Sequence, residues 1–197
     1  MENRRSLIEQ WSPNWSTIEE IMAVGQFNSY KTANKWVARH RRAGRLREIG
    51  SIAFRSTGRP MKVYGAKLWK GLKLKHEVMT SKALLPYFLR GMRFLRGYDV
   101  DPVLRPDAET PGAVPLYWQM DMGTESIPKV AKVLRPYADS PGLVLFITTC
   151  EERVDAVLRA SRNLADQLLC TTVDWVRAQP FGAIWRNVDG GTTSLDF

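Results

Sequence analysis

Three polar side chains in the second half of the chain have the types and spacing to hold a divalent cation. Asp107 follows a proline at the start of a predicted strand, and Gln119 and Asp121 stand two residues apart on the next strand. Because strand side chains alternate between faces, Gln119 and Asp121 share one face. Oxygen ligands of this kind suit Mg²⁺, which takes one or two carboxylates plus waters and phosphate oxygens. A metal held there would activate water against a phosphodiester.

Each of these residues also has a structural interpretation. Taken alone, Asp121 is typical of a structural carboxylate at the start of a helix. Gln119 is a neutral oxygen ligand and a weak metal anchor. The two cysteines, Cys150 and Cys170, form no CxxC motif or Cys/His cluster, which argues against zinc and against a disulfide scaffold. We interpret both as buried small hydrophobic residues.

The elements that would position these side chains alternate between helix and strand patterns. Residues 116–121 alternate between apolar and polar types, and residues 143–147 are continuously apolar, as in a strand covered on both faces. A helix is predicted from about 77 toward 90, bent or ended by Pro86, and an uncertain strand-like stretch follows at 91–104. The remaining predicted elements are a helix through Val130, Val133, Leu134 and Tyr137, a helix opened by a capping box at 149–152, a strand at 168–171 and a short helix around Trp175. This order predicts an α/β sandwich around a mixed sheet.

The net positive charge of the chain lies in its first 76 residues. Residues 1–76 contain 16 Lys and Arg against 5 Asp and Glu, whereas residues 77–197 contain 13 against 15, within an overall net charge of +9. Such asymmetry predicts a polyanion-binding module joined to a near-neutral one. Nucleic acid is the expected polyanion, because each cation that meets a phosphate releases a counterion.

The basic segment has the pattern of two helices joined by a short turn. Residues 16–19, Ser-Thr-Ile-Glu, have capping-box spacing and predict a helix that Gly25 closes in a left-handed conformation. A second helix is predicted to begin near Ser29 and to stop at Gly44. Its buried stripe consists of Ala33, Val37 and His40. This arrangement is a helix-turn-helix pattern.

The side chains off that stripe are basic or polar. The first half of a recognition helix reaches base edges in the major groove, where Asn and Lys hydrogen-bond to adenine and guanine. Two strand-like runs follow, at 46–54 and 61–64, joined by a polar turn with arginines at its tip. The predicted DNA-binding residues are Tyr30, Lys31, Asn34, Lys35, Arg41, Arg42, Arg55, Arg59 and Lys62. Residues 14–66 therefore resemble a winged helix-turn-helix domain.

The second half resembles the PD-(D/E)xK nucleases, with Pro106-Asp107 as "PD" and residues 119–121 in place of "(D/E)xK". More closely, residues 105–108, 117–124, Lys132 and Tyr137 are similar to motifs of the replication-relaxation family, as are residues 171–174 and 181–186. That family pairs an N-terminal winged helix with a nuclease-like α/β domain and is associated with plasmid replication and mobilisation. The resemblance implies an α+β or α/β chain with a winged helix at 1–66, a basic linker at 67–76 and a nuclease-like domain at 77–197.

The resemblance also extends the candidate site. It implies catalytic roles for Asp107, Gln119, Asp121 and Lys132, and a metal (Mg²⁺ or Mn²⁺) held by Asp107, Asp121 and Glu77. Two departures weaken that implication, because Gln119 stands where the pattern has an acid and Asp121 where it has a lysine. Lys132 or Lys129 would have to supply the missing cation. Glu77 is equally typical of a solvated residue in the first turn of a helix.

Three functions follow from these observations. The first is a double-stranded DNA-binding protein without catalysis, acting as an accessory or regulatory factor in plasmid or mobile-element replication or mobilisation, with homodimerisation left open. The second is a Mg²⁺-dependent endonuclease targeted by its winged helix. The third is an adaptor whose basic face binds an acidic protein. The chain has no apolar run long enough to cross a membrane and no signal-peptide core, so we expect a cytoplasmic protein with no membrane partner.

Overall fold

The fold was analysed in a computed structural model that describes residues 4–11, 14–53, 59–66, 73–164 and 166–195. Backbone contacts divide the chain into two units, Met1–Gly91 and Met92–Phe197. The division lies after Gly91, whereas the charge changes after residue 76. The helix that follows the charge step therefore belongs to the first unit.

The described part of the first unit consists of helices and a small antiparallel sheet. The helices are α1 (Arg4–Trp11), α2 (Ile18–Val24), α3 (Tyr30–Arg42) and α4 (Leu74–Leu89), and the strands are β1 (Ser16–Thr17), β2 (Arg47–Ile52) and β3 (Met61–Gly65). The strands pair in the order β1–β3–β2. The two predicted strands after Gly44 are confirmed, and β1 adds a third that the sequence pattern did not predict.

The capping box of α2 lies one residue later than predicted. Thr17 is the N-cap, and its backbone N–H donates to Glu20 Oε2 at 2.6 Å. Ser16 instead lies in β1, where it pairs with Tyr64 of β3. Its hydroxyl accepts a hydrogen bond from the Trp11 indole at 2.8 Å. Two adjacent hydroxyl residues offer two cap positions, and the burial of Ser16 beside Trp11 selects the second.

Gly25 follows α2, but the predicted left-handed conformation at this residue is wrong. Its φ is −79°, and Gln26 takes the positive value of 48°. Gly25 is required for space instead, since a Cβ atom there would lie 2.3 Å from Cε2 of Phe27 and 2.8 Å from Cδ1 of Ile8. Both side chains are buried, so the glycine allows the chain to turn against them.

The predicted second helix is confirmed as α3. Ser29 caps it, accepting a hydrogen bond from the backbone N–H of Thr32 at 3.2 Å, and Gly44 follows it with φ of 70°. His40 is a buried structural residue whose Nδ1 lies 2.9 Å from the Trp36 carbonyl oxygen. The buried stripe consists of Ala33, Val37 and His40, as predicted.

Helix α4 begins three residues before the predicted start at Glu77 and runs through Pro86. A proline inside a helix removes one backbone hydrogen bond, and here Tyr87 and Phe88 beyond it are buried. The Phe88 ring packs against the Trp11 ring with centroids 4.8 Å apart. Apolar packing at its last turn therefore extends the helix past the proline.

The second unit is built on a mixed sheet of six strands. Its strands are β4 (Ala108–Thr110), β5 (Leu116–Asp121), β6 (Leu143–Thr148), β7 (Leu168–Thr172), β8 (Trp185–Arg186) and β9 (Thr192–Thr193), and its helices are α5 (Ile127–Leu134), α6 (Glu151–Ala160) and α7 (Val173–Ala178). The strands lie in sequence order. Strands β5, β6 and β7 are parallel, and the other neighbouring pairs are antiparallel. The mixed sheet with covering helices confirms the predicted α+β class.

Helices α5 and α6 pack on the same face of this sheet. Their apolar residues join strand residues in one buried cluster, formed by Tyr117, Val130, Leu134, Tyr137, Val144, Phe146, Val154, Val157, Leu158, Leu164, Leu168 and Cys170. Strand β6 is buried along most of its length, as its continuous apolar run predicted. The face that carries Tyr117 also carries Gln119 and Asp121, because side chains alternate along β5.

Two local predictions in this unit are wrong, namely the capping box at 149–152 and the burial of Cys150. The N-cap of α6 is Cys150, whose side chain makes no capping hydrogen bond, so the box at 149–152 is absent. Cys150 is exposed, whereas Cys170 is buried and burial raises the pKa of its thiol. The stretch 91–104 forms a short 3-10 turn, Gly97–Asp99, and a single bridge between Leu95 and Glu109.

The helix after β5 is shorter than its apolar pattern suggested. Helix α5 ends at Leu134, and a 3-10 helix, Arg135–Asp139, continues the chain and buries Tyr137. Val133 remains half exposed. Among the described helices, none combines the length and apolar character needed to cross a membrane.

Candidate functional site

Helix α3 presents a cationic and polar face opposite its buried stripe. Ser29 fixes the first turn of the helix, and burial of Ala33 and Val37 orients it. Tyr30 is 56% exposed, which is unusual for a large aromatic side chain. The residues of this helix that were predicted to contact DNA are all exposed: Tyr30, Lys31, Asn34, Lys35, Arg41 and Arg42. We call this set the α3 face.

The first half of the α3 face has no internal partners among the described residues. The side chains of Lys31, Asn34 and Lys35 form no ion pair or hydrogen bond with another described side chain. Their hydrogen-bonding groups are therefore available to an external ligand. These positions are also the ones at which a recognition helix contacts base edges.

The second half of the α3 face is connected to the sheet through Glu48. Oε2 of Glu48 lies 3.1 Å from Nη2 of Arg41 and 3.1 Å from Nζ of Lys62. One carboxylate thus partly neutralises two of the predicted DNA-binding cations. The sequence reasoning missed this role of Glu48, although it is the only acidic residue of β2 and opposes β3 in a hairpin.

Tyr64 lies beneath Arg41, whose guanidinium carbon is 5.9 Å from the ring centroid. The ring is buried, and burial raises the pKa of Tyr64, with the negative charge of Glu48 adding to the effect. The phenol therefore stays neutral at physiological pH. A neutral ring can support the Arg41 cation from one side through its π face.

The remaining predicted DNA-binding residues lie at the end of α3 and on the hairpin. Arg42 is exposed, with its Nε 3.4 Å from the Ala38 carbonyl oxygen. Arg59 is exposed just before β3, and Lys62 is exposed on it. Arg55 lies outside the described residues.

Asp107 takes part in the edge of the second sheet. Its backbone N–H donates to the Trp118 carbonyl at 2.9 Å, and its Oδ2 accepts the backbone N–H of Met120 at 2.7 Å. Asp107 lies just before the start of β4. Its carboxylate therefore takes the place of a neighbouring strand as the acceptor for this backbone N–H of β5. This contact gives Asp107 a structural role at the predicted position.

Gln119 is held by a hydrogen-bonded chain. Its Nε2 donates to the Tyr137 hydroxyl at 2.7 Å, and that hydroxyl donates to the Leu104 carbonyl at 3.1 Å. Burial raises the pKa of Tyr137, and the nearby Asp107 charge adds to the rise. The chain links β5, the 3-10 helix and the loop before β4, which makes Gln119 a structural link rather than an open ligand.

Asp121 forms a buried ion pair with Arg153 of α6. Arg153 Nε contacts Oδ2 of Asp121, and Arg153 Nη2 lies 3.0 Å from Oδ1. The same oxygen accepts the backbone N–H of Gly123 at 2.9 Å, and Arg153 Nη2 also donates to the Glu125 carbonyl. Both oxygens of Asp121 are therefore occupied. In the part of the chain that the structure describes, Asp121 belongs to no group of three His, Cys, Asp or Glu side chains that could share a metal ion.

The cation beside Asp121 is thus Arg153 and not the predicted Lys132. Lys132 is exposed on α5 and forms no ion pair with a described residue, and Lys129 pairs with Glu125 at 2.5 Å. Glu77 belongs to the first unit, where it is buried on α4 with Oε1 3.4 Å from His76 Nδ1.

Comparison with models of known families, with curated proteins and with solved structures gives no significant match for this chain.

The functional assignment must therefore follow from the geometry of each unit. The first unit has an exposed cationic helix face on which Lys31, Asn34 and Lys35 have no side-chain partner among the described residues. The second unit has its predicted acidic residues engaged in structural contacts. The α3 face is the stronger candidate for a functional site.

Proposed function

We propose that the first unit is a winged helix-turn-helix that binds double-stranded DNA, with α3 as its recognition helix. The observation that carries this proposal is the α3 face. Lys31, Asn34 and Lys35 are exposed there, at the leading end of a helix whose opposite side is buried, and have no side-chain partner among the described residues. Amide and ammonium groups there can hydrogen-bond to adenine and guanine.

The hairpin formed by β2 and β3 supports the same assignment. Arg59 and Lys62 are exposed on it and add cations to those of α3. Backbone phosphates attract such side chains and fix the register of the recognition helix without reading sequence. Base contacts from α3 and phosphate contacts from the hairpin would together give sequence-selective binding.

The biological role we propose is that of an accessory or regulatory factor in the replication or mobilisation of a plasmid or other mobile element. Its support is the motif resemblance of residues 105–108 and 117–124 to the replication-relaxation family. The second unit would then be a degenerate nuclease-like domain, because Arg153 occupies Asp121 and Tyr137 holds Gln119.

Duplex binding can be tested by fluorescence anisotropy with a labelled duplex of about 30 base pairs at about 50 and 200 mM salt. Phosphate contacts predict a steep loss of affinity between the two concentrations. Lys35→Ala should weaken binding by about fivefold to tenfold at about 100 mM salt, which is the contribution of roughly one released counterion. Lys129→Ala, which removes the same charge from the second unit, should leave the affinity unchanged. Equal effects of the two substitutions would contradict the role of α3.

A plasmid assay tests the degenerate state of the second unit. Supercoiled plasmid should stay intact with the protein and either Mg²⁺ or Mn²⁺, because both oxygens of Asp121 are held by Arg153. Nicking that EDTA stops and that Asp107→Asn abolishes would instead establish the metal-dependent endonuclease.

A further inference from the structure

A cavity of about 310 Å³ lies in the second unit beside β7, α7 and β8. This volume is at the lower end of the range for small-molecule sites in proteins. Its lining belongs entirely to residues 151–192, so it is separate from the α3 face and from Asp107, Gln119 and Asp121. The side chains that matter here are Glu151, Thr171, Trp175, Gln179 and Arg186.

Thr171 supplies a buried hydroxyl to this lining. The residue is 1% exposed, and its Oγ1 has no hydrogen-bond partner among the described residues. Buried hydroxyl groups in proteins are nearly always hydrogen-bonded, so the unpartnered Thr171 hydroxyl is a group that a ligand would satisfy after a small local shift of the cavity wall. Gln179 adds an exposed side-chain amide that makes no hydrogen bond with another described residue.

Trp175 provides a flat apolar surface at the same cavity. The indole is 46% exposed, and its Nε1 donates to Glu151 Oε1 at 2.5 Å. This hydrogen bond limits the rotation of the ring, so that its orientation is fixed before a ligand arrives. An oriented and exposed indole is a stacking surface for a planar ligand.

The charges around the cavity disfavour an anionic ligand group. Arg186 is paired with Glu151, Nη1 to Oε2 at 3.3 Å, and with Asp155, Nη2 to Oδ1 at 2.5 Å. The two carboxylates compensate the guanidinium and oppose an anionic ligand.

We propose that this cavity binds a nucleobase, with the ring stacked on Trp175 and its polar edge hydrogen-bonded to Thr171 and Gln179. A base is planar and uncharged and carries donors and acceptors side by side, which matches a hydroxyl and an amide that can each donate and accept. Stacking of a base on an aromatic side chain tolerates every base type. The site would accept either a free nucleoside or an unpaired base of a nucleic-acid strand whose phosphates stay outside the cavity.

Isothermal titration of the full-length protein with the four deoxynucleosides tests this proposal. At least one nucleoside should bind saturably, and deoxyribose alone should not. Thr171→Val keeps the shape of the side chain and removes the hydroxyl, and we expect about tenfold weaker binding, the size of one net hydrogen bond. Trp175→Leu should weaken binding by about tenfold or more, because stacking is lost.

Matched variants separate this site from the duplex-binding proposal. Thr193→Val, outside the cavity lining, and Lys35→Ala, on the α3 face, should leave nucleoside affinity unchanged. An oligothymidine of about eight nucleotides and its abasic counterpart distinguish the two sources of the base. Weakening of oligothymidine binding by Thr171→Val identifies a strand base as a ligand, and an effect on nucleosides alone identifies the free nucleoside. Absence of saturable binding to every nucleoside and to oligothymidine, or binding that neither cavity variant alters in well-folded protein, would overturn the proposal.

Discussion

Glu48 restrains two cations of the predicted DNA surface, so removing its charge should strengthen duplex binding. Oε2 of Glu48 lies 3.1 Å from both Arg41 Nη2 and Lys62 Nζ. Glu48→Gln keeps the size of the side chain and releases both cations to meet phosphates. It should therefore increase affinity, whereas most substitutions on a binding surface decrease it.

The expected gain follows from counterion release. Each added phosphate contact steepens the slope of log K against log salt by about 0.9 and raises the affinity by about eightfold at about 100 mM salt. One released cation thus predicts a gain of about fivefold to tenfold, and two predict more. The cost to folding should be about 1 kcal/mol or less, because the side chains of Arg41 and Lys62 are 42% and 59% exposed and exposed pairs stabilise weakly.

Fluorescence anisotropy with one duplex at several salt concentrations gives both the affinity and the slope. Glu152→Gln is the matched control, because Glu152 is an exposed acid of α6 in the second unit and its substitution changes the net charge equally. Glu48→Gln should bind more tightly and with a steeper slope than Glu152→Gln. Indistinguishable variants would refute the placement of DNA against Arg41 and Lys62.

Three further predictions concern the fold. Arg153→Ala should lower the free energy of unfolding in urea by about 3 kcal/mol or more, because it leaves the buried Asp121 carboxylate unpaired, and a loss under about 1 kcal/mol would contradict the buried pair. Gly25→Ala should destabilise the first unit by about 1–3 kcal/mol, since a Cβ atom would lie 2.3 Å from Cε2 of Phe27, and an unchanged melting temperature would refute that packing. Burial raises the pKa of Tyr137 above its usual value of 10.0. As the pH passes 10.0, the unfolded state therefore loses the Tyr137 proton before the folded state does. The contribution of this group to the free energy of unfolding should be fully present below pH 10.0 and should fall above it. Tyr137→Phe should remove this part of the alkaline loss, and an identical pH profile for the variant would contradict the shift.

The elements with a strong residue period could be predicted from the sequence. Three patterns predicted both the type and the position of an element: the buried stripe of α3, the alternating run at 116–121 and the apolar run at 143–147. Burial of one or both faces of such an element determines which of its residues are apolar. Positions set by tertiary contacts could not be predicted. The N-cap of α2 is Thr17 because Ser16 is paired in β1 and bonded to Trp11, neither of which is a local signal.

The residues of the candidate sites also differ in how far the sequence predicts their placement. Exposure of Lys31, Asn34 and Lys35 followed from the period of α3, since residues off a buried stripe must face outward. The contact between Asp121 and Arg153 could not be predicted from the sequence. Arg153 lies 32 positions away in the chain, and the connection from β6 to α6 brings it to Asp121. The spacing of charges within one element cannot predict a partner that the sheet topology supplies.

The salt dependence of duplex binding by Lys31→Ala/Lys35→Ala protein tests the central claim most directly. If α3 is the recognition helix, the double variant should bind more weakly than the wild type, and its slope of log K against log salt should be less steep by about 1–2. Lys129→Ala should reproduce the wild-type slope. A double variant with the wild-type affinity and slope would contradict the assignment of the α3 face to DNA.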